Sequence, residues 1–574
     1  MQLLLEQTER MLAEVQGLQA LAGEVSWLTK ASWSLTDDKD VCVDFDISFN
    51  DRVYGARLLY PRLFPHAPAY VRPRDAEEVW STHQYIKEGT LCLEWGPDNW
   101  HSGVTGSDLI RSTFKLLAFE TIGPALSAKA PSRHELTFGQ RVRSHSQRFL
   151  LTAQLRAGLE ELSRDVPVRI SIGTLHRRKE MVAFATKLGD DEHTGFLGAP
   201  KELADPESCG SWIREGWVVW CDEWRTLPKP AGDQSAIRDF LKEKGCWPWP
   251  DEEDQSGFLL LVDSSMSVRP IALAPSGAAY EYFLLDCVDT SQLRQPKRHA
   301  ALREKRVAIV GLGSVGSKVA VALARSGVSR FLLIDDDVFL PSNLVRNQLD
   351  WSSAGYDKVD AVRNAIELVQ PGADVATRMF RFAGQESASF NTTVLEQVAT
   401  CDLVIDATAS AKVFSSLAAI CARRQVAMVW GEVFAGGIGA MMARSLPGWD
   451  ADPLEIRRAI HLFLADKPDA PFKRAMGYDV EEEDEVLTGG DAEVGALSAS
   501  LTQFAIDALT RSAVPRFPAA AYLFGYQKAW FFDAPFDTHP VLCPRAADIG
   551  DAKPGPVNVK RLTELVNVLV DSSC

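Results

Sequence analysis

Residues 306–335 read RVAIVGLGSVGSKVAVALARSGVSRFLLID, and this stretch decides the fold. VAIVGLG is a short apolar run ending in glycines, SKVAVALARSG has helical spacing and closes at Gly327, and SRFLLID is a second apolar run. Strand, glycine turn, helix and strand in that order make a βαβ unit, the element of a doubly wound parallel sheet. Gly311, Gly313 and Gly316 stand where strand gives way to helix, so the backbone there can approach phosphates and the helix N-terminus offers unpaired N–H groups. Asp335 ends the second strand, where it can accept bonds from ribose hydroxyls. On these residues alone the site suits a dinucleotide as readily as ATP.

Downstream the chain continues IDDDVFLPSNLVRNQ (334–348), then Gly355, Lys358 and a helix near 357–369. A strand, CDLVIDAT (401–408), carries Asp406 near its end, and an Ala- and Ser-rich helix leads to the strand VAMVWG. Cations and an amide cluster where a nicotinamide has no need of them. Over about 300–540 this string of motifs resembles the adenylating superfamily of ubiquitin-activating enzymes and the ThiF-type activators of sulfur-carrier proteins. The resemblance implies a Rossmann-like adenylation domain using ATP and Mg²⁺. It makes Asp335 the ribose partner, Asn343, Arg346 and Lys358 the phosphate contacts, and Asp406 the Mg²⁺ ligand. Attack by a carboxylate on the α-phosphate needs neutralisation of growing charge, which Arg346, Lys358 and a metal at Asp406 are suited to supply. An NAD-linked oxidoreductase on the same glycine turn leaves SNLVRN and Lys358 unexplained.

Toward the N-terminus, the first twenty or so residues have the spacing of one amphipathic helix, and Val41, Val43, Phe45, Ile47 and Phe49 alternate as a strand that opens a β meander. The stretch YPRLFPHAPAYVRP is too rich in proline for helix. A loop GTLCLEW with Cys92 follows, and a helix is expected over Ser107–Phe119. The Pro-rich stretch, His83, GTLCLEW and Pro97 look like a ubiquitin-conjugating enzyme, a resemblance covering about 1–145 that implies an α+β fold with Cys92 as nucleophile. Where that family has a His-Pro-Asn element this chain has His83-Gln84-Tyr85, so Gln84 is the candidate amide donor. His83 and His101 are equally readable as loop histidines.

A conjugating and an activating domain in one chain is similar to bacterial fusions encoded in anti-phage operons. The resemblance implies adenylation of the C-terminus of a small ubiquitin-like or other partner protein, thioester transfer and conjugation to a target amine. The activating half of such fusions usually has a cysteine in a crossover above the nucleotide, but here no cysteine lies between 421 and 543, and Val486 or Leu487 stands in its place. Cys92 attacking the adenylate directly, an oxyester on Thr488 or Ser498, or another cysteine reaching in are the three routes. The superfamily commonly dimerises through the nucleotide domain, and Arg294 or Arg298 is the candidate for an arginine donated across a homodimer. A non-catalytic assembly protein with a retained nucleotide site is the remaining alternative.

The composition fits this reading. The chain has 574 residues, 46% apolar and 24% charged, which is ordinary for globular cores. A net charge of −16 repels a phosphate backbone, so nucleic acid is excluded as principal partner. No apolar run suits a membrane span, and Glu6, Glu9, Arg10 and Glu14 interrupt the N-terminus where a signal peptide would be apolar, so the expectation is cytoplasmic. The ten cysteines have no Cys-x-x-Cys spacing, which argues against a disulfide framework and a structural zinc site. Between 146 and 295, runs such as WVVWC and GFLLLVD read as strands of a mixed α/β linking domain of open role. Three pieces result: a conjugating-like domain over 1–145, the linking domain over 146–295 and an adenylation domain over 296–574.

Overall fold

The computed structural model describes residues 2–75, 77–81, 84–85, 89–121, 142–143, 145–177, 179–189, 197–198, 212–227, 233–250, 256–287, 295–382, 384–469, 473–474, 480–482, 485–487, 489–510 and 516–546. The chain divides into two compact units, Met1–Ser144 and His145–Cys574.

In the first unit, a helix Thr8–Glu24 precedes four strands, Leu28–Leu35, Val41–Phe49, Arg52–Tyr60 and Tyr70–Pro73, which pair antiparallel in chain order. Asn50 and Asp51 both have positive φ and form the two-residue turn between the second and third strands, a position Asn and Asp tolerate better than most residues. Val43, Phe45 and Ile47 are fully buried against Leu18 and Leu21 of the first helix and Leu109 and Leu117 of the helix Gly106–Thr121. One buried charge ties these elements together. Glu14 accepts hydrogen bonds from the Tyr60 hydroxyl at 2.9 Å, the Gly106 amide at 2.7 Å and Arg10 Nε at 3.0 Å. Both carboxylate oxygens thereby have partners despite their burial.

The second unit holds two eight-stranded sheets. The first uses the strands between Gln147 and Cys287, with the helices Ala153–Glu161 and Ser235–Glu243. Consecutive residues of its strand Gly257–Val262 feed two different clusters, Phe258 and Leu260 one, Leu259 and Leu261 the other. Both faces are therefore covered, which is why GFLLLVD lacks polar alternation.

In the second sheet the order is Asp374–Met379, Arg330–Asp335, Arg306–Val310, Leu403–Asp406, Ala427–Phe434, Gly439–Ser445, Ala521–Gly525 and Thr538–Val541. The first five are parallel and the last three join antiparallel. From Arg306–Val310 the chain winds outward through 330 and 374, then returns to the other side at Leu403. The strand order thus reverses between Arg306–Val310 and Leu403–Asp406, and the crevice at their carboxyl ends is where open α/β sheets bind ligands. Among the described residues no helix is long and apolar enough to cross a membrane.

Candidate functional site

The glycine turn of the sequence lies at this switch point. Gly311 has φ +87° and donates its amide to the Ile334 carbonyl at 2.9 Å. A Cβ on Gly316 would sit 1.8 Å from the Gly311 carbonyl oxygen, so the helix Ser314–Arg325 can start this close to the strand only without a side chain there. A Cβ on Gly313 would meet nothing within 4 Å, so that side of the turn is open. Asp335 closes the next strand. Its Oδ2 accepts the Leu312 amide at 2.6 Å and its Oδ1 the Asp337 amide at 2.9 Å. Burial pushes the Asp335 carboxyl above its usual range, while these two amides and the Lys358 charge pull the other way.

The segment after Asp335 folds back onto the turn. Ser317, fully buried, donates to the Gly313 carbonyl at 2.7 Å and accepts the Gln348 amide at 3.2 Å, so the glycine turn and the SNLVRNQ loop are fastened to one hydroxyl. Buried Asn347 adds a bond from Nδ2 to the Leu312 carbonyl at 3.4 Å. The structure gives Asn343 a turn-holding task, since its Oδ1 accepts the Leu340 amide at 2.9 Å. Arg346 reaches the Gly489 carbonyl at 3.5 Å, just ahead of the helix Asp491–Thr510. Lys318, in the glycine-turn helix, pairs with Asp491 at 2.9 Å. Lys358 Nζ pairs with Asp337 Oδ2 at 2.8 Å; its stem is buried and its partner is exposed.

Asp406 ends the strand on the other side of the switch point. Both bonds to its carboxylate, from the Thr408 amide at 3.0 Å and the Thr408 hydroxyl at 2.7 Å, fall on Oδ1; among the described residues Oδ2 takes none. A Cβ on Gly311 would lie 2.9 Å from the Thr408 side chain, so the two strand ends touch. Burial pushes the Asp406 carboxyl up; the Thr408 bonds and Arg457 lower it, and Glu432 raises it. Arg457, on the helix Pro453–Ala465, stacks 4.5 Å over the Phe414 ring. Sequence reading missed Arg457, Glu432, Asn347 and Ser317. For Glu432 a signal existed, an acid just past the VAMVWG strand; Arg457 belongs to no motif.

These residues fit ATP and Mg²⁺. The turn admits close approach, Asp335 stands at the end of the neighbouring strand, and Asp406 Oδ2 has no hydrogen-bond partner among the described residues. Among the described residues no cluster of three or more His, Cys, Asp or Glu side chains suits a metal. Magnesium does not require one, because it is commonly held by one or two carboxylates with phosphates and water.

In the first unit, Cys92 is half-buried in its loop. Burial pushes its thiol above the ordinary cysteine range, a bond from the Tyr85 hydroxyl lowers it and the Asp98 charge raises it. Gln84 is held at both ends of its amide. Its Oε1 accepts the Trp80 amide and one Nε2 hydrogen goes to the Glu78 carbonyl, both at 2.9 Å, so the side chain fastens the loop. His101 packs edge-on to Trp95 and accepts the Gly103 amide, a structural position. Ser498 is buried and donates to the Val494 carbonyl at 2.8 Å, which removes it as an oxyester candidate. Arg298 is exposed on the turn Lys297–Glu304. His83, Arg294 and Thr488 lie outside the described residues, as do the side chains of Val486 and Leu487.

Residues 290–452 match the ThiF family. An uncharacterized protein, y4qC, of Sinorhizobium fredii is 25% identical over 470 residues, 74% of this chain and 76% of that protein. Ubiquitin-like modifier-activating enzyme 5 of Caenorhabditis elegans is 31% identical over 127 residues, 22% of this chain and 26% of that protein. The ATP-dependent ubiquitin transferase-like protein Cap2 of Enterobacter hormaechei is 34% identical over 118 residues, 21% of this chain and 19% of that protein. The latter two matches thus span about a quarter or less of those proteins. Taken with the glycine turn and the paired strand-end acids, they make the carboxy-terminal part of this chain the bearer of a ThiF-type adenylating domain, related to that of the ubiquitin-activating enzymes.

Proposed function

We propose that this chain activates and conjugates a small protein. The ThiF-type domain adenylates the C-terminal carboxylate of a ubiquitin-like or other partner protein, the acyl group passes as a thioester to Cys92, and an amine of a target protein takes it. In the first step a carboxylate oxygen attacks the α-phosphorus of ATP and pyrophosphate leaves. In the second the Cys92 sulfur attacks the acyl carbon and AMP leaves. In the third the amine displaces the thiol.

The observation that carries this reading is the convergence of Gly311–Gly316, Asp335 and Asp406 on one switch-point crevice, with Lys358 beside Asp335. Asp406 would hold Mg²⁺, which would supply positive charge at the phosphates; Lys358 and Arg346 would add to it once drawn from Asp337 and Gly489. The burial of Ser498 disfavours an oxyester at that residue. The helix, meander and loop of the first unit support the ubiquitin-conjugating-like reading of 1–145, and the name of the Cap2 relative supports the coupling of the two activities. The resemblance to operon-encoded fusions supports, as part of this proposal, a role in bacterial anti-phage defence, in the cytoplasm. Exposed Leu340, Val345, Trp351 and Tyr356, all between Asp335 and Lys358, offer an apolar surface for a homodimer through the adenylation domain. The test is a gel without reductant after mixing protein, ATP, Mg²⁺ and partner. A thiol-sensitive adduct lost in Cys92→Ala supports the reading, and one retained in Cys92→Ala contradicts it.

A further inference from the structure

The chain enters the helix Asp491–Thr510 through a short strap, residues 489–491, that two cations of the nucleotide end hold in place. Lys318, half-buried on the helix that the glycine turn opens, pairs with Asp491 Oδ1 at 2.9 Å. Arg346, in the SNLVRNQ loop, donates from Nη1 to the Gly489 carbonyl at 3.5 Å. The strap lies close on the sheet: a Cβ on Gly489 would sit 2.9 Å from the Val433 side chain, and one on Gly437 would sit 3.3 Å from Gly489 Cα. Val433 is near the end of the strand Ala427–Phe434, whose neighbour ends at Asp406. Val433, the glycine-turn helix and the helix Asp491–Thr510 share one apolar cluster, so strap and turn lie on the same face of the sheet. Just inside the helix, the Tyr526 hydroxyl donates to the Glu493 carbonyl at 2.8 Å, an anchor independent of both cations.

We propose that Lys318 and Asp491 are positioning residues that pin this strap over the flank of the crevice, and that ATP unfastens it. The inference rests on the reading of the crevice as an ATP site in which Arg346 turns to the phosphates. A guanidinium drawn to the phosphates leaves the Gly489 carbonyl, so nucleotide and strap compete for Arg346. The Lys318–Asp491 pair then holds the strap without that help, and a pair open to solvent on its Asp491 side is weak. The flank therefore opens to the partner's C-terminus only after ATP has bound, and the carboxylate arrives when the α-phosphorus it attacks is in place.

This coupling has a sign that a merely structural ion pair would not give. With the strap closed Arg346 is engaged, so the apparent affinity for ATP is the intrinsic affinity reduced by the fraction of molecules whose strap is open. Removing the pin raises that fraction, and ATP should bind more tightly, by roughly two- to fivefold for a partly exposed ion pair. The gain passes through Arg346, because without that side chain nothing is competed for. Linkage is reciprocal, so ATP should in turn loosen the strap.

The experiment uses the full-length protein with ATP and Mg²⁺ as the probe and no partner. Titration calorimetry compares the unaltered chain, Lys318→Gln and Asp491→Asn, each with and without Arg346→Ala, while hydrogen exchange follows the backbone amides of 489–494. The proposal predicts that both single variants bind ATP more tightly, that the gain vanishes when Arg346→Ala is added, and that ATP speeds exchange at 489–494 in the unaltered chain. Equal or weaker binding by either variant, a gain that survives Arg346→Ala, or ATP that slows exchange at the strap would overturn it. ATP that binds none of these proteins would overturn the reading of the crevice itself, and the strap with it.

Discussion

The Leu312 amide donates to Asp335 Oδ2 at 2.6 Å, so the middle of the glycine turn is bolted to the acid at the end of the neighbouring strand. One carboxylate thereby shapes the glycine turn, and in the proposed function it also accepts bonds from the ribose of ATP. Asp335→Ala removes both contributions. Losing hydrogen bonds to a charged group is worth about 1.5–3 kcal/mol, so ATP should bind roughly 10- to 150-fold more weakly. Titration calorimetry with ATP reads this directly; unchanged affinity would mean that the nucleotide sits elsewhere.

Asp406 and Lys358 separate by their metal dependence. Asp406→Ala should bind ATP with an affinity that no longer responds to Mg²⁺. Lys358→Ala should keep the Mg²⁺ response and lose roughly 10²-fold in the rate of adenylation, the scale expected for one group stabilising transition-state charge. ATP titrations at several Mg²⁺ concentrations, paired with a single-turnover assay, check both.

The Cys92 thiol is raised by burial and lowered by the Tyr85 hydroxyl, so the thiolate is the minor species at neutral pH. Its alkylation by iodoacetamide should rise about tenfold per pH unit through neutrality, because only the thiolate reacts. Deprotonation should become half-complete only above the ordinary cysteine value of 9.0. Tyr85→Phe removes the lowering bond and should move the profile to higher pH. A plateau already reached at neutral pH would show that a stronger activating group has been overlooked.

Behind the crevice, Arg444 is fully buried, paired with Asp507 at 2.9 Å and Asp450 at 3.2 Å, and bonded to the Phe517 carbonyl at 2.7 Å. It joins the strand Gly439–Ser445 to the helix Asp491–Thr510. Arg444→Met leaves two buried carboxylates without their cation and should destabilise the chain by about 3–5 kcal/mol. Urea unfolding measures this, and a loss below about 1 kcal/mol would show the pair to be no better than a surface bridge.

The legible parts of the molecule are those written locally. The glycine turn, Asp335 and Asp406 could be placed because strand, turn and helix follow one another in sequence, and each residue stands at a strand end that the apolar runs define. The alternating run Val41–Phe49 declared its strand in the same way. What escaped depends on tertiary approach. Gln84 looks like a free amide until Trp80 and Glu78 engage it, and Ser498 looks like a hydroxyl in reach until its helix turns it to Val494. Arg457 comes to Asp406 from a helix some fifty residues on, and Glu14 and Arg444 are charges whose burial no local pattern announces. The strands of the linking sheet were visible as apolar runs, but their pairing order was not.

The central claim is that this crevice activates a carboxylate by adenylation, and pyrophosphate exchange tests it most directly. Radiolabelled pyrophosphate should enter ATP only when protein, Mg²⁺ and a partner with a free C-terminal carboxylate are all present, and not with Asp406→Ala. Exchange that ignores the partner's C-terminus, or that survives in Asp406→Ala, would contradict the account.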